Sequence, residues 1–180
     1  SFIRRNFGKD AVPTLCDAPN LEPFGSCRVC SVDVALKENG PAKAQASCHT
    51  PVMAGSYIYP DSERIQKLRK NIIELVLTDH PLDCLTCAAN GDCELQDQAG
   101  AVGLRDVRYE PKATHLGQTK DHSNPYFDFD PSKCIACSRC VRACDEVQGT
   151  LALTVQGRGF DSKISAGMAS DNFLGSECVS

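Results

Sequence analysis

The sequence predicts an α+β chain of three small modules, each tied down by bound metal rather than by one large core. Three observations carry this. Cysteine accounts for 12 of the 180 residues, while aromatics make up 6% and tryptophan is absent. So few large apolar side chains leave little to build a single core, and metal can supply the missing order. All but one of the cysteines fall into three clusters: C-x10-C-x2-C-x17-C (Cys16, Cys27, Cys30, Cys48), H-x3-C-x2-C-x5-C (His80, Cys84, Cys87, Cys93) and C-x2-C-x2-C-x3-C (Cys134, Cys137, Cys140, Cys144). Cys178 stands alone. The boundaries implied are 1–60, 61–122 and 123–180.

The first module reads as short strands and loops. Phe2 to Gly8 resembles the last turns of a helix closed by a glycine. Ser31 to Leu36 alternates with period two, as a half-buried strand does. A turn at Asn39-Gly40-Pro41 leads to a second strand running into Cys48, and Ser56 to Tyr59 is a third, stopped by Pro60. In the second module Asp61 or Ser62 caps a helix whose apolar positions are Ile65, Leu68, Ile72, Leu75 and Val76. It ends at Asp79-His80-Pro81, because proline disfavours helical geometry in the residue before it. His80 is thereby delivered beside Cys84 and Cys87. A short helix over Glu94 to Ala99 stops at Gly100, and 101–125 is a connector. The third module has a strand at Tyr126 to Asp130, a turn at Asp130-Pro131-Ser132, one or two helical turns over Cys140 to Val147, and a strand at Leu151 to Val155.

Net charge is −4 with mixed signs, which gives no basic face for nucleic acid. No apolar run approaches the ~20 residues needed to cross a bilayer as a helix. Disulfides are a poor account of the cysteines, since three at successive x2 spacings crowd one loop. The compartment expected is reducing, hence cytoplasmic. Ser1 is not methionine, and the chain stops two residues after Cys178, so a fragment of a longer protein is expected.

Iron–sulfur clusters take cysteine thiolates, four per cluster. The first set keeps the x2 pair and distant fourth ligand of the plant-type pattern, with a longer first gap, and points to [2Fe–2S]. Gly25, Ser26 and Arg28 suit a loop whose backbone must come close to inorganic sulfide. The second set offers one imidazole with three thiols, for a [4Fe–4S] cluster of altered potential. A zinc knuckle would accept either set. The third is the bacterial ferredoxin run, in which three cysteines hold one [4Fe–4S] cluster and the fourth serves a neighbour. Cys134, Cys137 and Cys140 would then need a downstream ligand, while Cys144 and Cys178 begin a further cluster. In a competing allocation Cys178 completes the third cage and Cys144 is left over. His49, His115 and His122 read as structural or solvent-exposed, and Gly157-Arg158-Gly159 is too short for a dinucleotide fingerprint. No general base or nucleophile stands out.

The order of these cages, with Pro13-Thr14-Leu15-Cys16, Gly25-Ser26-Cys27-Arg28-Val29-Cys30 and Asp79-His80-Pro81-Leu82-Asp83-Cys84, resembles an N-terminal region shared by three groups. They are the large iron–sulfur subunit of respiratory complex I, iron hydrogenases, and NAD-dependent molybdenum or tungsten formate dehydrogenases. The run from Cys134 to Cys144, Glu146 to Thr150 and Arg158 to Ser162 is most similar to the formate dehydrogenase alpha subunit. The resemblance implies an incomplete β-grasp [2Fe–2S] domain, a small helical domain with the one-histidine cage, and a ferredoxin-like [4Fe–4S] domain. It also implies an electron wire between a formate-oxidising molybdenum or tungsten bis-pterin centre and an FMN/NAD site. The partners implied are the catalytic part of the same subunit and flavin/NAD-binding iron–sulfur subunits. An equivalent module of a hydrogenase or of complex I, and a zinc-stabilised interaction module, are the alternatives.

Overall fold

The computed structural model describes residues 2–110, 117–166 and 172–177. They form two compact units, one of 1–17, 23–75 and 89–106, the other of 18–22, 76–88 and 107–180.

The first unit is built on a three-stranded antiparallel sheet. Its strands β1 (Ser31–Ala35), β2 (Ala42–Ala46) and β3 (Tyr57–Tyr59) lie in the order β2-β1-β3. Helix α1 (Phe2–Phe7) ends at Gly8, whose φ of 97° and ψ of 160° turn the chain out of the helix into a 3-10 turn over Lys9–Ala11. Ile3, Val12, Cys30, Val32, Ala46 and Cys48 form the core, with Val34 and Ile58 packed against it. Expected to be half-buried, β1 is instead covered on both faces, and Ser31, Asp33 and Ala35 are buried too. The central position explains this, because residues 61–69 satisfy the second face. Ser62 Oγ donates to Asp33 Oδ2 at 2.6 Å, Arg64 pairs with the same carboxylate, and Arg69 Nη2 donates to the Ser31 carbonyl at 2.8 Å.

Helix α2 (Glu63–Thr78) starts where expected, with Ser62 Oγ accepting the Ile65 N–H at 3.3 Å. Its buried stripe differs from the one predicted. Ile65, Arg69, Ile73, Glu74 and Thr78 are buried, while Leu75 is 46% exposed. The line Ile65–Arg69–Ile73 is a straight i, i+4 row that a reading by apolar residues alone passes over, because its middle member is charged. Helix α3 (Glu94–Ala101) also runs past its expected end. The stop glycine is Gly103, not Gly100: the Leu104 N–H reaches the Ala99 carbonyl and the Gly103 N–H the Gly100 carbonyl, both at 3.0 Å, with Gly103 at φ 62°. This is a Schellman closure, whose left-handed residue must lie beyond the last turn.

In the second unit the expected strand over Tyr126 to Asp130 does not form. Only Phe129 pairs, with Asp121. Asn124 Oδ1 captures the Tyr126 N–H at 2.9 Å and bends the chain, as a local side-chain acceptor does. Phe127 and Phe129 then turn onto Phe173, with ring centroids 5.3 and 4.7 Å away. The turn after Asp130 forms as expected, its carboxylate accepting the Ser132 N–H at 3.1 Å. Helix α4 (Arg139–Arg142) continues into a π-helical turn over Ala143–Val147. The strand expected at Leu151 to Val155 is displaced. Leu151 is exposed, Ala152 and Leu153 enter the core, and β4 (Thr154–Gln156) pairs antiparallel with β5 (Lys163–Ser165). Three-residue strands are too short for period two to register, which is why β5 escaped the sequence reading. The loop between them needs its glycine, because a Cβ on Gly157 would lie 2.2 Å from the Asp161 carbonyl oxygen. Among the described residues no helix is long and apolar enough to cross a membrane.

Candidate metal centres

The first set of thiols is assembled by strand register. Ser31 lies opposite Ala46, and the Ser47 N–H continues the ladder to the Cys30 carbonyl at 3.2 Å. Cys30 at the start of β1 and Cys48 just past β2 therefore meet, although 17 residues separate them in sequence. Cys16 and Cys27 make the other pair. The Cys27 N–H points at Cys16 Sγ, 3.5 Å away, and the Cys16 thiol bonds to the Cys27 sulfur. That bond draws the Cys27 thiol down to about 6 and holds Cys16 well above the usual thiol range. Burial pushes Cys30 up to about 11. Cys16, Cys30 and Cys48 are buried and Cys27 is half-buried, so the sulfurs sit out of bulk water. The loop that carries Cys27 is tightly wound. Arg28 adopts φ 62° and Gly25 φ 72°, and a Cβ on Gly25 would fall 2.2 Å from the His49 ring.

In the second set, α2 hands the chain to His80, whose N–H reaches the Leu77 carbonyl at 3.2 Å before Pro81 ends the helix. His80 Nδ1 lies 2.9 Å from the Pro81 carbonyl oxygen, which can only accept. Nδ1 thus carries the hydrogen, and in the neutral ring Nε2 keeps its lone pair for a metal. Burial, assisted by the Lys133 ammonium, holds the imidazole below its ordinary pKa and keeps it neutral near pH 7. Cys84 and Cys87 sit at either end of a single 3-10 turn, with the Cys87 N–H on the Cys84 carbonyl at 3.2 Å. Cys93 belongs to the first unit, as the N-cap of α3.

In the third set Cys134, Cys137 and Cys140 curl together. Ala136 and Ser138 both take left-handed φ, 50° and 61°, and the Ala136 N–H points at Cys134 Sγ, 3.3 Å away. Alternating left-handed residues turn successive amides inward, as anion-binding nests do. Cys134 and Cys140 are both raised, by burial of the sulfur first and then by neighbouring thiols of the run, although Cys140 as a residue is exposed. Cys144 is placed differently. Its sulfur lies 3.0 Å from Thr150 Oγ1, inside the apolar cluster of Ala152, Leu153, Ala166 and Phe173. Cys178 and His115 lie outside the described residues, and so do the sequence readings that fall on them. An ion pair that the sequence reading missed joins the second and third ligand loops. Lys133, just before Cys134, bonds to Asp83, just before Cys84.

None of the described cysteines is in a disulfide. No three His, Cys, Asp or Glu side chains among the described residues close to the spacing of a single-ion site. The donor chemistry nevertheless fits sulfide-bridged iron: thiols in pairs, amides turned toward sulfur, and an imidazole with the correct nitrogen available.

The comparisons with known proteins agree. The NADH-ubiquinone oxidoreductase-G iron-sulfur binding region matches residues 69–108, and the ferredoxin-like domain of NADH-quinone oxidoreductase subunit 3 matches 124–179. A crystal structure of NAD+-reducing [NiFe]-hydrogenase in the H2-reduced state superposes with a TM-score of 0.82 at 33% identity, covering 93% of this chain and 68% of that one. The chain belongs to this family of iron–sulfur electron-transfer modules. Among curated members, the NADPH-Fe(3+) oxidoreductase subunit alpha of Geobacter sulfurreducens is 36% identical over 148 residues, 82% of this chain and 17% of that protein. The mitochondrial NADH-ubiquinone oxidoreductase 78 kDa subunit of Candida albicans is 37% identical over 153 residues, 85% of this chain and 21% of that protein. The chain thus spans about a fifth of these curated relatives. Membership bears out the expected α+β, ferredoxin-like fold and the role as an iron–sulfur electron-transfer module.

Proposed function

We propose that the chain relays electrons one at a time through a series of iron–sulfur clusters. Cys16, Cys27, Cys30 and Cys48 hold a [2Fe–2S] cluster. His80, Cys84, Cys87 and Cys93 hold a [4Fe–4S] cluster, and Cys134, Cys137 and Cys140 hold part of another. The observation that carries this reading is the pairing of the first four thiols, Cys16 with Cys27 and Cys30 with Cys48. A two-iron cluster takes two protein ligands at each iron. When bound, the clusters supply one-electron redox chemistry. The chain's own residues hold the thiolates, keep His80 neutral, and exclude water from the first cage. For the ferredoxin run, the Cys144 sulfur engages Thr150 Oγ1 while Cys140 faces Cys134 and Cys137, which supports the allocation in which Cys178 completes the third cage. Replacing Cys144 with serine then leaves the iron content unchanged.

At the ends of the wire we place an FMN/NAD site in partner subunits and a substrate-oxidising centre in the remainder of the same subunit. The motif likeness from Cys134 to Ser162 favours a formate-oxidising molybdenum or tungsten bis-pterin centre there. The superposition on a hydrogenase favours hydrogen as a second reading. So many cysteines, with none of the described ones in a disulfide, fit a reducing compartment such as the cytoplasm. Anaerobic purification of the protein that carries this chain tests the proposal. A brown preparation with iron and acid-labile sulfide in equal amounts is expected. A colourless, zinc-loaded one refutes it, and formate against hydrogen as electron donor separates the two readings.

A further inference from the structure

Arg69 is a cation where the fold has least reason to put one. It stands on the buried row of α2 between Ile65 and Ile73 and is 5% exposed. Nη1 meets Asp61 Oδ1 at 3.0 Å and Nη2 the Ser31 carbonyl at 2.8 Å. The buried Nε has no acceptor among the described residues. Asp61 is a weak counter-ion, because its side chain is 67% exposed and solvent screens it. Taking a guanidinium out of water for one screened carboxylate and one carbonyl is costly unless a further negative charge lies within reach. Ser31, whose carbonyl the guanidinium grips, is the residue next to Cys30. Burial disfavours the charged guanidinium, and the Cys30 sulfur opposes this through its charge once it is ionised, as a metal ligand must be.

Four thiolates, two sulfides and two ferric ions leave a net negative charge on the first cage, and each electron accepted adds one more. We infer that Arg69 is the built-in counter-charge of the first cage and raises the reduction potential of the cluster held there. The inference rests on the reading that Cys16, Cys27, Cys30 and Cys48 hold [2Fe–2S]. A buried cation favours the reduced state more than the oxidised one, because attraction grows with the charge it faces in a medium of low dielectric. Through the Ser31 carbonyl the same residue also fixes the strand that carries Cys30, so a readout that separates charge from scaffolding is required.

The test is an EPR-monitored redox titration of the first cluster in the wild-type protein and in R69Q, R69K and D61N. In R69Q the reduction equilibrium shifts at least tenfold toward the oxidised cluster, which is 59 mV for a one-electron couple. R69K, which keeps the charge, stays closer to wild type than R69Q does. D61N removes the screened carboxylate and shifts the equilibrium the other way. A scaffolding role predicts no such reversal of sign. Should R69Q fail to fold, D61N carries the test, because Asp61 is largely exposed. An R69Q midpoint equal to wild type, or a D61N midpoint that is unchanged or lower, overturns the inference. A wild-type protein without a reducible two-iron signal overturns the cage reading and the inference with it.

Discussion

Replacing His80 with cysteine isolates what the single imidazole does. The substitution exchanges a neutral donor for a thiolate, so the second cage gains one negative charge. His80 is half-buried, which places the added charge in a medium between water and dry protein. At about 4 Å and an effective dielectric of about 20, one extra charge is worth about 4 kcal/mol. At about 2.3 kcal/mol per 100 mV, that lowers the potential by roughly 170 mV. The Lys133 ammonium, which already acts on His80, offsets part of the added charge, so this value is a ceiling. The assay is a redox titration of the second cluster, followed by EPR, in H80C against wild type. A cluster that persists at an unchanged potential refutes the assignment of His80 as a ligand. It also removes the meaning of the Nδ1 bond to the Pro81 carbonyl.

Two further outcomes are expected. Gly25→Ala costs about 1–2 kcal/mol, the penalty of a left-handed residue with a Cβ; the exposed His49 ring can swing clear, so complete rescue of thermal stability in G25A/H49A would contradict the backbone argument. The hydrogen bond from Arg64, then that from Ser62, holds the Asp33 carboxyl below its ordinary value of 3.8. A folded-state pKa below the unfolded one means that the stabilisation is present above about pH 4 and is lost as pH falls through the lower folded value. Urea midpoints measured from about pH 5 to about pH 3 should therefore decline more steeply in wild type than in D33N; parallel slopes would remove Asp33 from the account.

Much of the fold could be read from residue order because its signals are local. Ser62 as a cap, Pro81 as a stop and the presence of a strand in Ser31 to Leu36 each depend on neighbours a few positions away, whereas the burial of both its faces does not. The failures share a cause. Tyr126 to Asp130 has strand composition, yet Asn124 takes a backbone N–H that a ladder would have used. Gly100 looked like a helix end, but the closing glycine must occupy the left-handed position beyond the last turn, where Gly103 stands. The row Ile65–Arg69–Ile73 was passed over because charge was read as exposure.

The sequence by itself determined the ligand types and their grouping, since spacing along a chain fixes which thiols can share a loop. Only the tertiary structure decided the rest. It set Cys30 against Cys48 through the β1–β2 register, assigned the hydrogen of His80 to Nδ1, lodged Cys144 among apolar side chains, and put Arg69 under β1. Each of these depends on contacts between segments distant in sequence, whose relative positions come from burial and backbone pairing across the whole unit.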